Sequence, residues 1–257
     1  MVDKCLALIF HRLTATSASD TDPAAAAATS AAASAASDRF SVTRDTFCRL
    51  LDTVALNPSS YLITFDDGHE SDYRIALDEL LQRKLHATFF IVPKWVGNRP
   101  GYLNWQQIRE ISAAGMTIGS HTMSHLCLSE VSQQKALEEL TLSRETIEKA
   151  INQEVSDLAL PGGFASAHIE EMALACGYKR IYTSIPGIWN RQTMLIPRVC
   201  VYEQMTPRTL MNIADGKFSL YYQAELLKYR FRQTVGPQRY LFLYKKIKRF
   251  RQQKRQQ

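Results

Sequence analysis

A chain of 257 residues, 46% hydrophobic and 22% charged, fits a soluble globular protein with one large core or two small ones. No apolar run approaches the ~18 residues that span a bilayer, and the five cysteines are odd in number and scattered with no Cys-x-x-Cys pair, which argues against a disulfide framework or a thiolate zinc site and fits a reducing compartment. The net charge of +6 hides an asymmetry: eleven of the 31 Lys and Arg residues and no acid fall in 226–257, so the body carries 20 basic against 25 acidic residues.

The chain opens with Leu6, Ala7, Leu8, Ile9 and Phe10, a strand apolar on both faces that ends at His11. This run is too short for the apolar region of a signal peptide and has no small-residue cleavage site, so export through a standard signal is not expected. Residues 14–37 form an insertion dominated by Ala, Ser and Thr, read as a loop because it carries no apolar stripe to bury. An amphipathic helix is expected over 40–56, with Phe47, Leu50, Leu51 and Val54 on its buried side.

Tyr61, Leu62, Ile63, Thr64 and Phe65 form a second strand running straight into Asp66, Asp67 and Gly68. Two ionised carboxylates are too costly to bury in a strand without partners, so they belong at its emerging end. Alternation then sets in: a helix over 71–84 with Leu80 and Leu81 inward, a strand over 87–92, a helix over 105–114 closed by Gly115, and a short strand over 116–119 that runs into Ser120 and His121. Ser129 is a candidate cap for a long helix reaching about Asn152, with Leu137, Leu140, Ile147 and Ile151 at helical spacing. Strands at 158–160, 180–184 and 195–202 and a helix at 168–176 follow. This order predicts an α/β fold, a distorted (β/α)7-type barrel of parallel strands. In such a barrel chemistry gathers at the C-terminal strand ends, where His11, Asp66, Asp67, His121, His125 and Pro161 all fall.

His121 and His125 are four residues apart, so one helical turn or a tight loop presents both imidazoles on one face. With Asp67 as third ligand they make a two-His, one-carboxylate set of the kind that holds catalytic zinc. The pattern resembles the NodB-type polysaccharide deacetylases, carbohydrate esterase family 4. The resemblance rests on Thr64-Phe65-Asp66-Asp67-Gly68, on Ser120-His121-Thr122-Met123-Ser124-His125, and on the intervening strand Ala87-Thr88-Phe89-Phe90.

That resemblance implies a metal-dependent hydrolase removing N-acetyl groups from amino sugars of a glycan or lipid-linked saccharide. Asp67, His121 and His125 would hold a divalent metal, with Zn2+ first in line. Asp66 would be the general base toward the attacking water, and the backbone N–H of Gly162, after Pro161, would face the oxyanion. Two departures stand out. Ala159 occupies the place of the arginine that orients the base in the family, and Arg198 is the candidate replacement. No histidine follows His168, so the family's C-terminal catalytic acid is missing; His11, at the end of an apolar strand, resembles the rearranged branch that brings the acid from the N-terminus. The alternative reading is a catalytically impaired glycan-binding relative.

His69 stands at the rim, where it either lines the substrate groove or is solvated. Trp95, Tyr102, Trp105 and Trp189 are candidates for stacking on sugars, with Trp105 favoured as core. Residues 1–225 are read as one catalytic domain and 226–257 as a basic amphipathic helical tail, which suits an anionic membrane surface and, lacking a recognised module, not nucleic acid. The expected location is cytoplasmic, peripheral at the inner membrane face.

Overall fold

The computed structural model describes residues 4–15, 40–163, 165–218 and 220–235. Most of the Ala-rich insertion (16–37) and most of the basic tail (236–257) lie outside the described residues. Among the described residues no helix is long and apolar enough to cross a membrane.

The strands are β1 (Leu6–Phe10), β2 (Arg12–Thr14), β3 (Ser41–Thr43), β4 (Tyr61–Phe65), β5 (Ala87–Ile91), β6 (Thr117–Ser120), β7 (Asp157–Ala159), β8 (Arg180–Tyr182), β9 (Leu195–Ile196) and β10 (Arg198–Cys200). The helices are α1 (Arg44–Ala55), α2 (Leu77–Gln82), α3 (Trp105–Ala113), α4 (Gln133–Ile151), α5 (Ala167–Ala175), α6 (Pro207–Ala214) and α7 (Leu220–Val235). Eight strands form one all-parallel sheet in the order β10-β1-β4-β5-β6-β7-β8-β9. Its two edges, β9 and β10, are consecutive in sequence and separated only by Pro197. Proline has no N–H for a ladder, so it splits one expected strand into two short ones that lie at opposite edges and bring the sheet nearly to a closed barrel.

Period-2 alternation divides the side chains into two layers. Leu6, Leu8, Phe10, Ile63, Phe65 and Phe89 face the helices and belong to the large core. Ala7, Phe90, Ala159, Tyr182 and Ile196 form a second cluster inside the ring. The register pairs Phe10 with Phe65, and the Asp66 N–H donates to the Phe10 carbonyl at 2.9 Å. Strands β1 and β4 therefore end flush, and His11 and Asp66 emerge side by side. Stacked rings of Phe10, Phe65 and Phe89 floor that rim, with centroids 5.4 and 4.7 Å apart.

Several expected boundaries move. The helix expected from 40 begins at Arg44, because Ser41–Thr43 pairs with β2 and Thr43 caps the helix, accepting from the Thr46 N–H. The helix expected from 71 starts as a π-helical turn over Asp72–Ala76 before α2. Ser132, not Ser129, caps α4: its hydroxyl accepts from the Lys135 N–H, while Leu128–Glu130 is a separate 3-10 turn anchored by buried Leu128. Leu81 and Leu137, expected inward, point to solvent; apolar spacing alone does not fix which side of a helix is covered.

Candidate metal centre

Alternation along β4 turns Thr64 and Asp66 into the ring, where Asp66 is 3% exposed. A lone carboxylate there would be protonated or destabilising. Arg198, at the start of β10 and fully buried, meets it bidentately: Nη1 to Oδ1 at 2.7 Å and Nη2 to Oδ2 at 2.8 Å. Two more of its N–H groups reach the Thr183 carbonyl (3.0 Å) and Thr64 Oγ1 (2.9 Å), whose hydroxyl donates in turn to the Leu8 carbonyl. Arg198 lies over the rings of Phe90 and Tyr182. Ala159 shares the inner cluster with those rings, so its short side chain leaves space for a guanidinium arriving from another strand. Burial pushes the Asp66 carboxyl up, but Arg198, His121 and His11 together outweigh it and the net shift is downward, keeping Asp66 ionised.

Asp67, next along the chain, takes a left-handed conformation (φ 79°), and Gly68 (φ 73°) continues the turn that lifts both out of the sheet. On the neighbouring loop Thr122 (φ 63°) and His125 (φ 61°) are also left-handed, which is costly for a β-branched residue. The His-x-x-x-His segment is thus a strained loop rather than a helical turn. One ligand atom from each of Asp67, His121 and His125 lies within 4.8 Å of the others. Asp67 Oδ1 is 3.2 Å from His125 Nε2 and 3.5 Å from His121 Nε2, yet is buried with no hydrogen-bond partner. His121 Nδ1 is 2.8 Å from the Ala159 carbonyl, an acceptor only, so the ring proton sits on Nδ1 and Nε2 presents a lone pair. Burial lowers the His121 pKa, favouring the neutral imidazole a metal needs; the Asp67 carboxyl, pushed up by burial, is brought well below the usual range by His125, His121 and His11. Converging lone pairs around an orphaned carboxylate oxygen fit a divalent cation, and the donor set suits zinc among others.

Groups the sequence did not flag hold this loop. Glu139 on α4, 2% exposed, accepts from both the N–H and the hydroxyl of Ser124, each at 2.7 Å. Nothing in the sequence separates Glu139 from its solvated neighbours on that helix. Asp72 is fully buried with both carboxylate oxygens unpartnered, and burial, with Asp67 nearby, raises its pKa well above the usual range.

The other expected residues disperse or gather as follows. His11 lies against Phe40, its Nδ1 buried without a partner; burial lowers its pKa, but the Cys200 thiol and the charges of Asp67 and Asp66 outweigh that and raise it to about 9. Gly162 (φ 70°) stands in the turn after β7; the adjacent Gly163 packs so tightly that a Cβ would lie 2.4 Å from the Ser184 nitrogen. His69 stacks on Tyr102, and its pKa falls to about 4 through burial. Trp95 stands over His125, with centroids 5.0 Å apart. Trp105 packs against the core, and Trp189 pairs with Cys5 at the opposite end of β1, away from the rim. Cys127 is not in the metal-ligand group; it hydrogen-bonds Ser129.

The fold and the site together define a parallel α/β barrel with a candidate metal-binding triad at the C-terminal strand ends. The polysaccharide deacetylase family model matches residues 53–181, half of the chain, and the chain belongs to that family. A putative polysaccharide deacetylase, YxkH, of Bacillus subtilis is 30% identical over 130 residues, 51% of this chain and 46% of that protein. A peptidoglycan-N-acetylglucosamine deacetylase of Bacillus cereus is 33% identical over 129 residues, 50% of this chain and 58% of that one. The chain thus spans about half the length of these curated relatives. Among solved structures, the Streptococcus pyogenes deacetylase PplD, in complex with acetate, superposes with a TM-score of 0.68 at 21% identity, over 82% of this chain and 98% of that one, a likeness of fold.

Proposed function

We propose that this protein is a metal-dependent N-deacetylase of amino-sugar glycans. The observation that carries the reading is the orphaned Asp67 oxygen between two imidazole nitrogens, beside a second carboxylate held in register by a buried guanidinium. A divalent ion bound by Asp67, His121 and His125, with Zn2+ first in line, would supply Lewis acidity, polarising an acetamide carbonyl and lowering the pKa of a water.

The chain's own residues do the rest. Asp66, ionised and aimed by Arg198, takes the proton of the attacking water as its oxygen bonds to the acetyl carbon. The Gly162 amide faces the negative charge that develops on the former carbonyl oxygen. His11, protonated at neutral pH by virtue of its raised pKa, gives its proton to the sugar nitrogen as the C–N bond breaks. Acetate and a free amine leave. The relatives' names point to peptidoglycan and polysaccharide substrates, and a lipid-linked saccharide is part of the same proposal, as is a place at the cytoplasmic face of an anionic membrane through residues 226–257.

Acetate release from N-acetylated oligosaccharides, before and after chelation and on adding back zinc, tests the reading. Activity that survives complete metal removal contradicts it. Metal-loaded protein that binds glycans without ever releasing acetate favours the glycan-binding alternative. Co-sedimentation with anionic vesicles tests location: unchanged binding after removal of 226–257 contradicts it.

A further inference from the structure

The loop following β5 is fastened to the metal-bearing turn by backbone bonds: Leu103 N–H to the Gly68 carbonyl and Glu70 N–H to the Gly101 carbonyl, both 2.9 Å, and Gly97 N–H to the Leu103 carbonyl, 3.0 Å. Two of its rings are thereby fixed beside the triad. Trp95 lies on His125. Tyr102 stacks on His69, whose Nε2 is 4.0 Å from Asp67 Oδ2, and the Trp95 and Tyr102 centroids are 5.0 Å apart. Over both rings sits Arg99, its guanidinium carbon 4.4 Å from the Trp95 centroid and 4.6 Å from that of Tyr102.

Arg44, Arg83, Arg144, Arg180 and Arg198 each meet a carboxylate. Among the described residues Arg99 forms no ion pair and no side-chain hydrogen bond. Its planar face rests on the rings while its N–H donors stay uncommitted. Arg12, immediately after His11 and also without an ion pair among the described residues, adds positive charge at the same place, felt by both His69 and Tyr102. A cation with no carboxylate partner among the described residues, pinned to an aromatic shelf that adjoins the triad, is arranged to receive an anion from outside, in the fork geometry suited to carboxylate or phosphoryl oxygens.

We propose that Trp95, Tyr102 and Arg99 form an anion-recognising subsite, binding an acidic group carried next to the N-acetyl sugar that reaches the triad. The rings hold the guanidinium face-on, and Arg99 takes the carboxylate or phosphoryl substituent through its N–H groups. The proposal rests on the deacetylase reading for what lies at the triad, but its test stands apart from turnover.

Calorimetric affinities are to be measured for three probes: neutral chitotetraose, a hyaluronan tetrasaccharide bearing carboxylates, and UDP-N-acetylglucosamine bearing a diphosphate. Each is titrated into the metal-loaded full chain, wild type, Arg99→Gln and Arg99→Lys, at low and high salt. The expected result is that at least one acidic probe binds roughly tenfold or more tightly than chitotetraose, a preference that shrinks with salt. Arg99→Gln removes most of that preference and Arg99→Lys keeps part of it. Tighter hyaluronan assigns the anion to a uronate-type ring; tighter UDP-sugar assigns it to a phosphoryl-linked sugar. Equal affinity for all three, including no measurable binding of any, or an acidic-to-neutral ratio unchanged by Arg99→Gln, overturns the subsite. Acetate release measured in parallel reports on the deacetylase reading separately: preference without turnover sinks that reading alone, and turnover without preference sinks the subsite alone.

Discussion

Replacing Arg198 with Met removes the guanidinium hydrogen-bonded to Asp66 and leaves that carboxylate 3% exposed inside the ring. Breaking a buried ion pair from one side costs about 3–5 kcal/mol, because the remaining charge has neither water nor partner. The Thr183 carbonyl and Thr64 hydroxyl lose a donor as well, a loss that overlaps with the first rather than adding to it. At about 2–4 °C per kcal/mol for a chain of this size, the melting temperature should fall by roughly 6–20 °C. The double variant Asp66→Asn, Arg198→Met removes both charges and should recover most of the loss, a coupling that a double-mutant cycle reads directly. pH gives a second handle. In the single variant Asp66 keeps its burial but loses the guanidinium, so its folded pKa moves above the unfolded value; stability then drops as pH rises from about 4 to 7 and is regained on acidification. Urea denaturation of metal-free protein, followed by tryptophan fluorescence at pH 5 and 7, measures all of this. A single variant that loses less than about 1 kcal/mol, or a double variant no more stable than the single, would refute the claim that Arg198 is what permits an ionised Asp66 there.

Three further outcomes are expected. His11→Asn should lower kcat by about 10²–10⁴ and erase the alkaline limb of the rate profile, a limb set by a pKa raised to about 9 and drawn lower by any bound cation; a variant with wild-type rate and profile contradicts the acid role. Asp72 has a folded pKa well above its unfolded one, so it stays protonated when folded and releases a proton on unfolding. Its contribution to stability therefore worsens as pH rises above about 4, by up to about 1.4 kcal/mol per unit. Asp72→Asn should gain on the wild type steadily between pH 5 and 7 in chemical denaturation, and a pH-independent difference would be inconsistent with this. Asp67→Asn should cut zinc retention after dialysis at least tenfold with little loss of fold; retention equal to wild type means the triad is not the metal's seat.

The reading of the sequence and the structure diverge where chemistry gives way to tertiary context. Asp66 and Asp67 announced themselves because an apolar strand has no use for adjacent carboxylates, and the parallel barrel was readable from strands alternating with helices. Which carboxylate faces inward is a matter of strand parity, visible only once β4 is registered against β1. Arg198 could be named as a candidate from its place in a late strand. Its bidentate geometry could not, because the contact joins residues 132 positions apart and depends on the room beside Ala159. Glu139 and Asp72 had no signal at all: an acidic residue on a helix looks solvated until neighbouring elements bury it. The same holds in reverse for Leu81 and Leu137, whose spacing suits burial but which stay open to solvent, and for Ser129, displaced as a cap by a turn that anchors on Leu128.

The most direct test of the account separates the metal from the base. Metal-loaded wild type and Asp66→Asn are compared for bound zinc, by elemental analysis, and for acetate released from an N-acetylated oligosaccharide. Asp66→Asn should keep zinc near stoichiometric, since Asp67, His121 and His125 are untouched, while turnover falls by about two to four orders of magnitude. Loss of zinc in step with activity, or undiminished turnover in the variant, would contradict the division of labour between the two neighbouring carboxylates.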